Sequence, residues 1–100
     1  METYKLILTP RAQRDLDAIF QYISETLQES QTALHLLSAL ESGILSLDSM
    51  PYRCPERRIG AYAHKGYRQL LIKNYVIIYR VNEEKKEVVV VTIRYARSHF

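Results

Sequence analysis

One hundred residues make a single modest domain, and a chain of this size can hold one core without disulfide or metal staples. Hydrophobic residues are 47% and charged residues 25%, which excludes intrinsic disorder as the default state, and no run approaches the eighteen apolar residues of a membrane span. The net charge of +3 conceals an asymmetry: residues 1–50 carry three basic groups against seven acidic ones, net −4, and residues 51–100 carry eleven against four, net +7. Such a split points to a polyanion or an acidic protein as partner of the second half, although a chance gradient with a solvated basic face gives the same count. The first residues lack the basic flank and apolar stretch of a signal peptide, and a lone Cys54 suits a reducing compartment. The expectation is a cytoplasmic protein, one domain over residues 1–100, with no membrane association.

In chain order, residues 4–9 read as a short strand rich in β-branched and aromatic types. Thr9 then suits an N-cap and Pro10 the first helical position, where its missing N–H costs nothing. Ala12, Leu16, Ile19, Phe20, Ile23 and Leu27 recur at helical spacing, and Asp15 and Asp17 sit near the favourable end of that helix's dipole. Ser30 can cap a second helix carrying Ala33, Leu36, Leu37, Leu40, Ile44, Leu45 and Leu47, which ends near Pro51. The short break between the helices predicts an antiparallel hairpin.

Residues 50–66 look irregular. Strands are predicted over 67–72, 75–81 and 87–95, the first two joined by Lys73-Asn74, where asparagine tolerates positive φ. The Val88–Val91 run is apolar on both faces and belongs inside a sheet, away from an exposed edge. Strand, helix, helix and three strands predict an α+β fold: a small, mostly antiparallel sheet with an N-terminal helical hairpin packed on one face.

Several chemistries are missing. His35, His64, His99 and Cys54 lack metal-ligand spacing, and Gly43, Gly60 and Gly66 form no phosphate loop, so no metal or cofactor is expected. What remains is a set of cations and aromatic hydroxyls: Arg68, Arg80, and the segment Arg94-Tyr95-Ala96-Arg97-Ser98-His99-Phe100. Arginines interleaved with aromatics suit phosphodiesters and unstacked bases. Arg68 and Arg80 equally suit structural ion pairs with Glu83, Glu84 or an acid of the hairpin, and Tyr67, Tyr75 and Tyr79 suit the core or a sheet face.

An ordered set of segments resembles the toxins of bacterial type II toxin–antitoxin modules, the RelE/ParE superfamily. It comprises the first strand with Pro10, Ala12, Asp15, Leu16 and Ile19; the leucine-rich second helix; Tyr67-Arg68-Gln69-Leu70; the run from Asn74 to Val81; and Tyr95-Ala96-Arg97. The resemblance implies a toxin neutralised by a cognate antitoxin, with either DNA gyrase or the ribosome and its mRNA as target.

RelE-like mRNA interferases cleave messenger RNA in the ribosomal A site, which needs a base, an acid and cations for the pentacoordinate phosphate. The arginine that commonly follows the tyrosine in that subgroup is Val76 here, and its lysines on the preceding strand fall near Tyr67 and Gln69. Its terminal arginine matches Arg97, and its tyrosine beyond has no counterpart. Histidine-using members leave His64 and His99 as acid or base candidates. ParE-like gyrase inhibitors lack the arginine–lysine set, and the long hairpin looks more like theirs. The resemblance therefore implies a ParE-like growth inhibitor ahead of an endoribonuclease, with a non-toxic basic interaction domain as the third alternative. Arg97, Arg68 and Arg80, supported by Tyr95 and His99, are the candidate functional residues.

Overall fold

The computed structural model describes residues 3–26 and 30–97. Strand β1 (Lys5–Leu8) leads into helix α1 (Pro10–Thr26), followed by helix α2 (Ser30–Leu45), short 3-10 turns at Ser46–Asp48 and Pro51–Arg53, and strands β2 (Arg68–Ile72), β3 (Tyr75–Asn82) and β4 (Glu87–Tyr95). The predicted order of elements is the observed one; Leu27, placed on the first helix's apolar face, lies outside the described residues.

Thr9 explains how the chain turns from strand to helix. Its hydroxyl oxygen accepts the Ala12 N–H at 3.1 Å, as an N-cap should, and its own O–H donates to the Val91 carbonyl at 3.1 Å. One side chain thus ends β1, starts α1 and fastens both to β4. Val91 is the extra residue of a bulge, since Ile78 pairs with Thr92 and Tyr79 with Val90.

The sheet order is β1-β4-β3-β2, with β1 parallel to β4 and the other pairs antiparallel. The valine run accordingly lies in an interior strand, paired on both edges, with Val88, Val89 and Val90 buried. Among the described residues, the β1 side of β4 has no strand partner beyond Val90. Asp15 on α1 closes that gap: its carboxylate accepts the Thr92 hydroxyl at 2.5 Å and the Ile93 N–H at 3.2 Å. A residue placed by its charge near the helix start turns out to be the clasp between helix and sheet.

Both helices cover one face. Ala12, Leu16 and Ile19 of α1 and Ile44 of α2 pack with Leu6, Leu8, Val88, Val90, Ile77, Tyr79, Leu70 and Ile72. Tyr79 is fully buried and its hydroxyl donates to the Pro51 carbonyl at 2.5 Å, which satisfies the one polar atom that the ring carries into the core. Burial also pushes its phenol upward from the usual tyrosine range. Tyr75 is buried as well, so two of the three strand tyrosines are core residues.

Gly43 has a packing reason. A Cβ there would stand 2.5 Å from Cδ1 and 2.8 Å from Cγ1 of Ile72, so its bare backbone lets α2 approach β2 closely. In the β2–β3 turn it is Lys73, at φ 56°, that takes the left-handed conformation, and Asn74 does not. With two residues in the loop, the strand twist fixes which position must turn, and the sequence preference yields to it.

Candidate functional site

The three candidate arginines do not converge. Arg68 alternates with Leu70 and Ile72 on the helix-covered face, and its guanidinium donates to the Cys54 carbonyl at 2.6 Å and the Tyr52 carbonyl at 3.4 Å. It also lies over the Tyr52 ring, 5.1 Å from the centroid. Its work is to hold the 3-10 turn against the sheet. Arg80 stands on the opposite face, in register with Val89, exposed and bonded to neither Glu83 nor Glu84.

Arg97 lies in an exposed turn after β4, where the Ala96 N–H donates to the Asn74 carbonyl at 2.7 Å. Along β3, the rung of Arg68 (opposite Tyr79) and the rung of Tyr95 (opposite Tyr75) are four residues apart, about 13 Å at strand rise. Arg97 sits beyond that second rung, so no single phosphate spans the set. Tyr95 packs edge-to-face on Tyr75 with centroids 5.7 Å apart. With Tyr22 the two rings line adjoining hollows of about 480 and 430 Å³. His99 lies outside the described residues. His64 is exposed in the loop before β2, at φ 58°.

The expected ion pairs of Arg68 and Arg80 with Glu83 are replaced by a different cluster. The Glu83 carboxylate accepts the hydroxyls of Tyr4 at 2.8 Å and Tyr52 at 2.9 Å, and the Lys86 ammonium donates to it. Lys86 first, then the two phenols, hold its carboxyl down at about 2.

A concavity beside β2 was not legible in the sequence. Residues 55–57 run beside the outer edge of β2: the Arg57 N–H donates to the Tyr67 carbonyl at 2.8 Å and the Gln69 N–H to the Pro55 carbonyl at 3.1 Å. Arg57 reaches over the helix-free face, donating to Gln69 Oε1 at 3.2 Å and to the Ala61 carbonyl at 3.1 Å. Between this segment and the sheet opens a cleft of about 940 Å³ whose walls include Arg57, Arg58, Ile59, Gln69, Leu71 and Val76. Ile59 is 83% and Leu71 58% exposed. The available signal was Arg57-Arg58-Ile59 itself, two cations beside a large apolar residue in a loop. The pairing that places it beside β2 is one bridge long, too short for periodicity to reveal.

Chemically, the cleft can grip anions and cover apolar groups. Among the described residues that line it, Glu56 is the one proton-transfer group, because a guanidinium keeps its proton at neutral pH. Among the described residues no group of His, Cys, Asp and Glu could hold a metal ion, and no helix is long and apolar enough to cross a membrane.

Comparison with solved structures places this fold. It is similar to a chain of the chromosomal ParDE toxin–antitoxin system of P. aeruginosa, with a TM-score of 0.70 at 21% identity over 95% of this chain and 98% of that one. It is similar, too, to a chain of the RelBE2 toxin–antitoxin complex of Mycobacterium tuberculosis, with a TM-score of 0.65 at 20% identity over 95% and 93%. No curated protein matches the chain in sequence. The family model for the ParE toxin of the type II toxin–antitoxin system parDE matches residues 6–100. That match takes in both helices, all the sheet but the first residue of β1, the cleft and Arg97, so the chain belongs to the ParE toxin family of type II toxin–antitoxin systems.

Proposed function

We propose that this toxin arrests growth by acting on DNA gyrase and is neutralised by a cognate antitoxin. The observation that carries the choice of target is the distribution of chemistry on the sheet. RNA cleavage by the 2′-hydroxyl needs a base and an acid on opposite sides of one phosphate, with cations beside it. Here the arginines are split between two faces and two ends of the sheet, and the cleft pairs its cations with a single carboxylate. Inhibition of a large enzyme by surface binding requires no proton-transfer pair. Accessible cations beside exposed apolar groups suit it, and Arg97, Arg80 and Tyr95 provide such groups, with His99 retained as a supporting candidate.

The test is a parallel assay of purified protein. The expected result is inhibition of gyrase supercoiling together with intact ribosome-bound mRNA. Cleaved mRNA with unaffected supercoiling would replace this target by the ribosome. Absence of both activities, with no growth arrest when the chain is expressed without its antitoxin, would leave an interaction domain.

A further inference from the structure

We infer that the tyrosine-walled hollow at the end of the sheet binds a small planar aromatic molecule bearing an anionic group, a carboxylate or a phosphate. Tyr22, Tyr75 and Tyr95 form its walls, and Lys73 and Arg94 stand beside them. The site is independent of the choice of target, since it rests on the side chains of this hollow alone.

Tyr75 and Tyr95 are cross-strand partners on β3 and β4, so both rings leave the sheet on the same face. Tyr22 of α1 joins them on the walls of two adjoining hollows of about 480 and 430 Å³. Tyr75 is buried with Ile23, Ala33 and Leu40 and makes the floor. Tyr22 is 58% and Tyr95 43% exposed, so packing consumes one ring and leaves two presented to solvent. The Tyr75 and Tyr95 rings meet at 75°, a corner and not a stack. A flat ligand can lie along one ring with its edge toward the other. Either hollow has the size of a small-molecule site, roughly 300–1,000 Å³. Burial, then the phenols of Tyr22 and Tyr95, push the Tyr75 phenol upward, in keeping with three hydroxyls set near one another. It keeps its proton at neutral pH and can donate to a ligand.

Charge selects the ligand. Lys73 is exposed in the β2–β3 turn and Arg94 lies on β4, and among the described lining residues Asp15 is the one acid. Its carboxylate is already engaged by the Thr92 hydroxyl, the Ile93 N–H and, at 3.9 Å, Arg11. Clustered aromatic rings commonly hold quaternary ammonium groups. Here two cations at the walls and a committed carboxylate favour an anion instead. Of the backbone groups at this end, the Ile93 N–H is held by Asp15 and the Ala96 N–H by the Asn74 carbonyl. The hollow therefore presents side chains to its occupant, which disfavours an extended peptide that binds through its main chain. A nucleic-acid strand stacks on rings set in succession along a track, whereas these three close on one corner.

The chain has no tryptophan, so an indole ligand can be followed by its own fluorescence. Purified protein is titrated into indole-3-acetate, with indole-3-ethanol as the neutral counterpart. Adenosine monophosphate, choline, an oligothymidine and a capped tripeptide of tryptophan between two glutamates serve as competitors. The expected result is a saturable rise in anisotropy at roughly 1 mM, the affinity that suits a ligand of this size. Indole-3-ethanol should bind at least about threefold more weakly for want of the charge. Displacement by adenosine monophosphate extends the site to phosphates, and its absence confines the site to carboxylates. Tyr22→Ala, at an exposed ring, should weaken binding at least about tenfold through lost stacking. Lys73→Gly suits the left-handed turn, φ 56°, and removes only the charge. It should weaken indole-3-acetate and leave indole-3-ethanol unchanged, and it reads the same site if Tyr22→Ala fails to fold. Equal binding of the two indoles, unchanged binding in either variant, or tighter binding of choline, the oligothymidine or the tripeptide than of indole-3-acetate would each overturn the proposal.

Discussion

Glu83 shows how much a single exposed carboxylate can organise. Two phenols and an ammonium from β3–β4, the chain before β1 and the Pro51–Arg53 turn meet on it, and its carboxyl is held at about 2 against an ordinary 4.5. A group with a depressed folded-state pKa contributes stability above its unfolded pKa and loses it as the pH falls through the folded one. Melting curves of the wild type and of Glu83→Gln should therefore differ at pH 6 and draw together between about pH 4.5 and 2. A gap that persists unchanged to pH 2 would mean that the carboxylate's charge is not what those donors stabilise. Arg97 presents a separate question, that of activity. If its guanidinium contacts the target, Arg97→Ala forfeits a charge-assisted hydrogen bond, typically about 1.5–3 kcal/mol. That amounts to a roughly ten- to hundredfold loss of affinity. We expect relief of growth arrest at modest expression with an unchanged melting temperature, since Arg97 is exposed beyond the last strand. Undiminished toxicity would remove Arg97 from the site.

Among the elements, those whose signals are local were readable and those set by distant partners were not. Thr9-Pro10 announced α1, the leucine spacing announced α2, and the valine run announced an interior strand, because capping, periodicity and two-sided burial each leave a mark within a few residues. Gly43 had no such mark: inside a helix it reads as a mere defect, and only the position of Ile72 across the interface explains it. Gly43→Ala gains about 1 kcal/mol of helix propensity and meets Ile72 side-chain atoms at 2.5 and 2.8 Å. Overpacking of this kind costs about 1–3 kcal/mol, so the melting temperature should fall, and Ile72→Val in the same chain should recover part of the loss. A rise in stability for Gly43→Ala alone would show that Ile72 yields freely. The positions of Arg68 and Arg80 illustrate the same limit for function. Sequence marks them as cations in strands, but strand parity and register send one to the covered face and the other to the open one.

For the whole molecule, the acidic first half and basic second half occupy different regions: α1 and α2 form one layer, while the cleft and Arg97 belong to the segment beside β2 and to the sheet's end. An antitoxin that covers both needs apolar groups for the hairpin, where Leu34 and Leu45 are exposed, and acidic groups for the basic half. Its affinity should be only partly sensitive to salt, because buried apolar area is indifferent to ionic screening. Titrations at low and high ionic strength should show a residual, salt-independent component that Leu34→Asp reduces. Complete loss of binding at high salt would argue against a role for the hairpin.

The parallel pairing of β1 with β4 sets the order of events during synthesis. Tyr4 with Glu83, Thr9 with Val91 and Asp15 with Thr92 join residues separated by 79, 82 and 77 positions, and contacts of such separation make folding slow. β4 is an inner strand between β1 and β3, so neither β1 nor the clasp of Asp15 has anything to hold until translation has passed Ile93. A ribosome making this chain therefore carries an open sheet, its first strand unpaired, until β4 has been made.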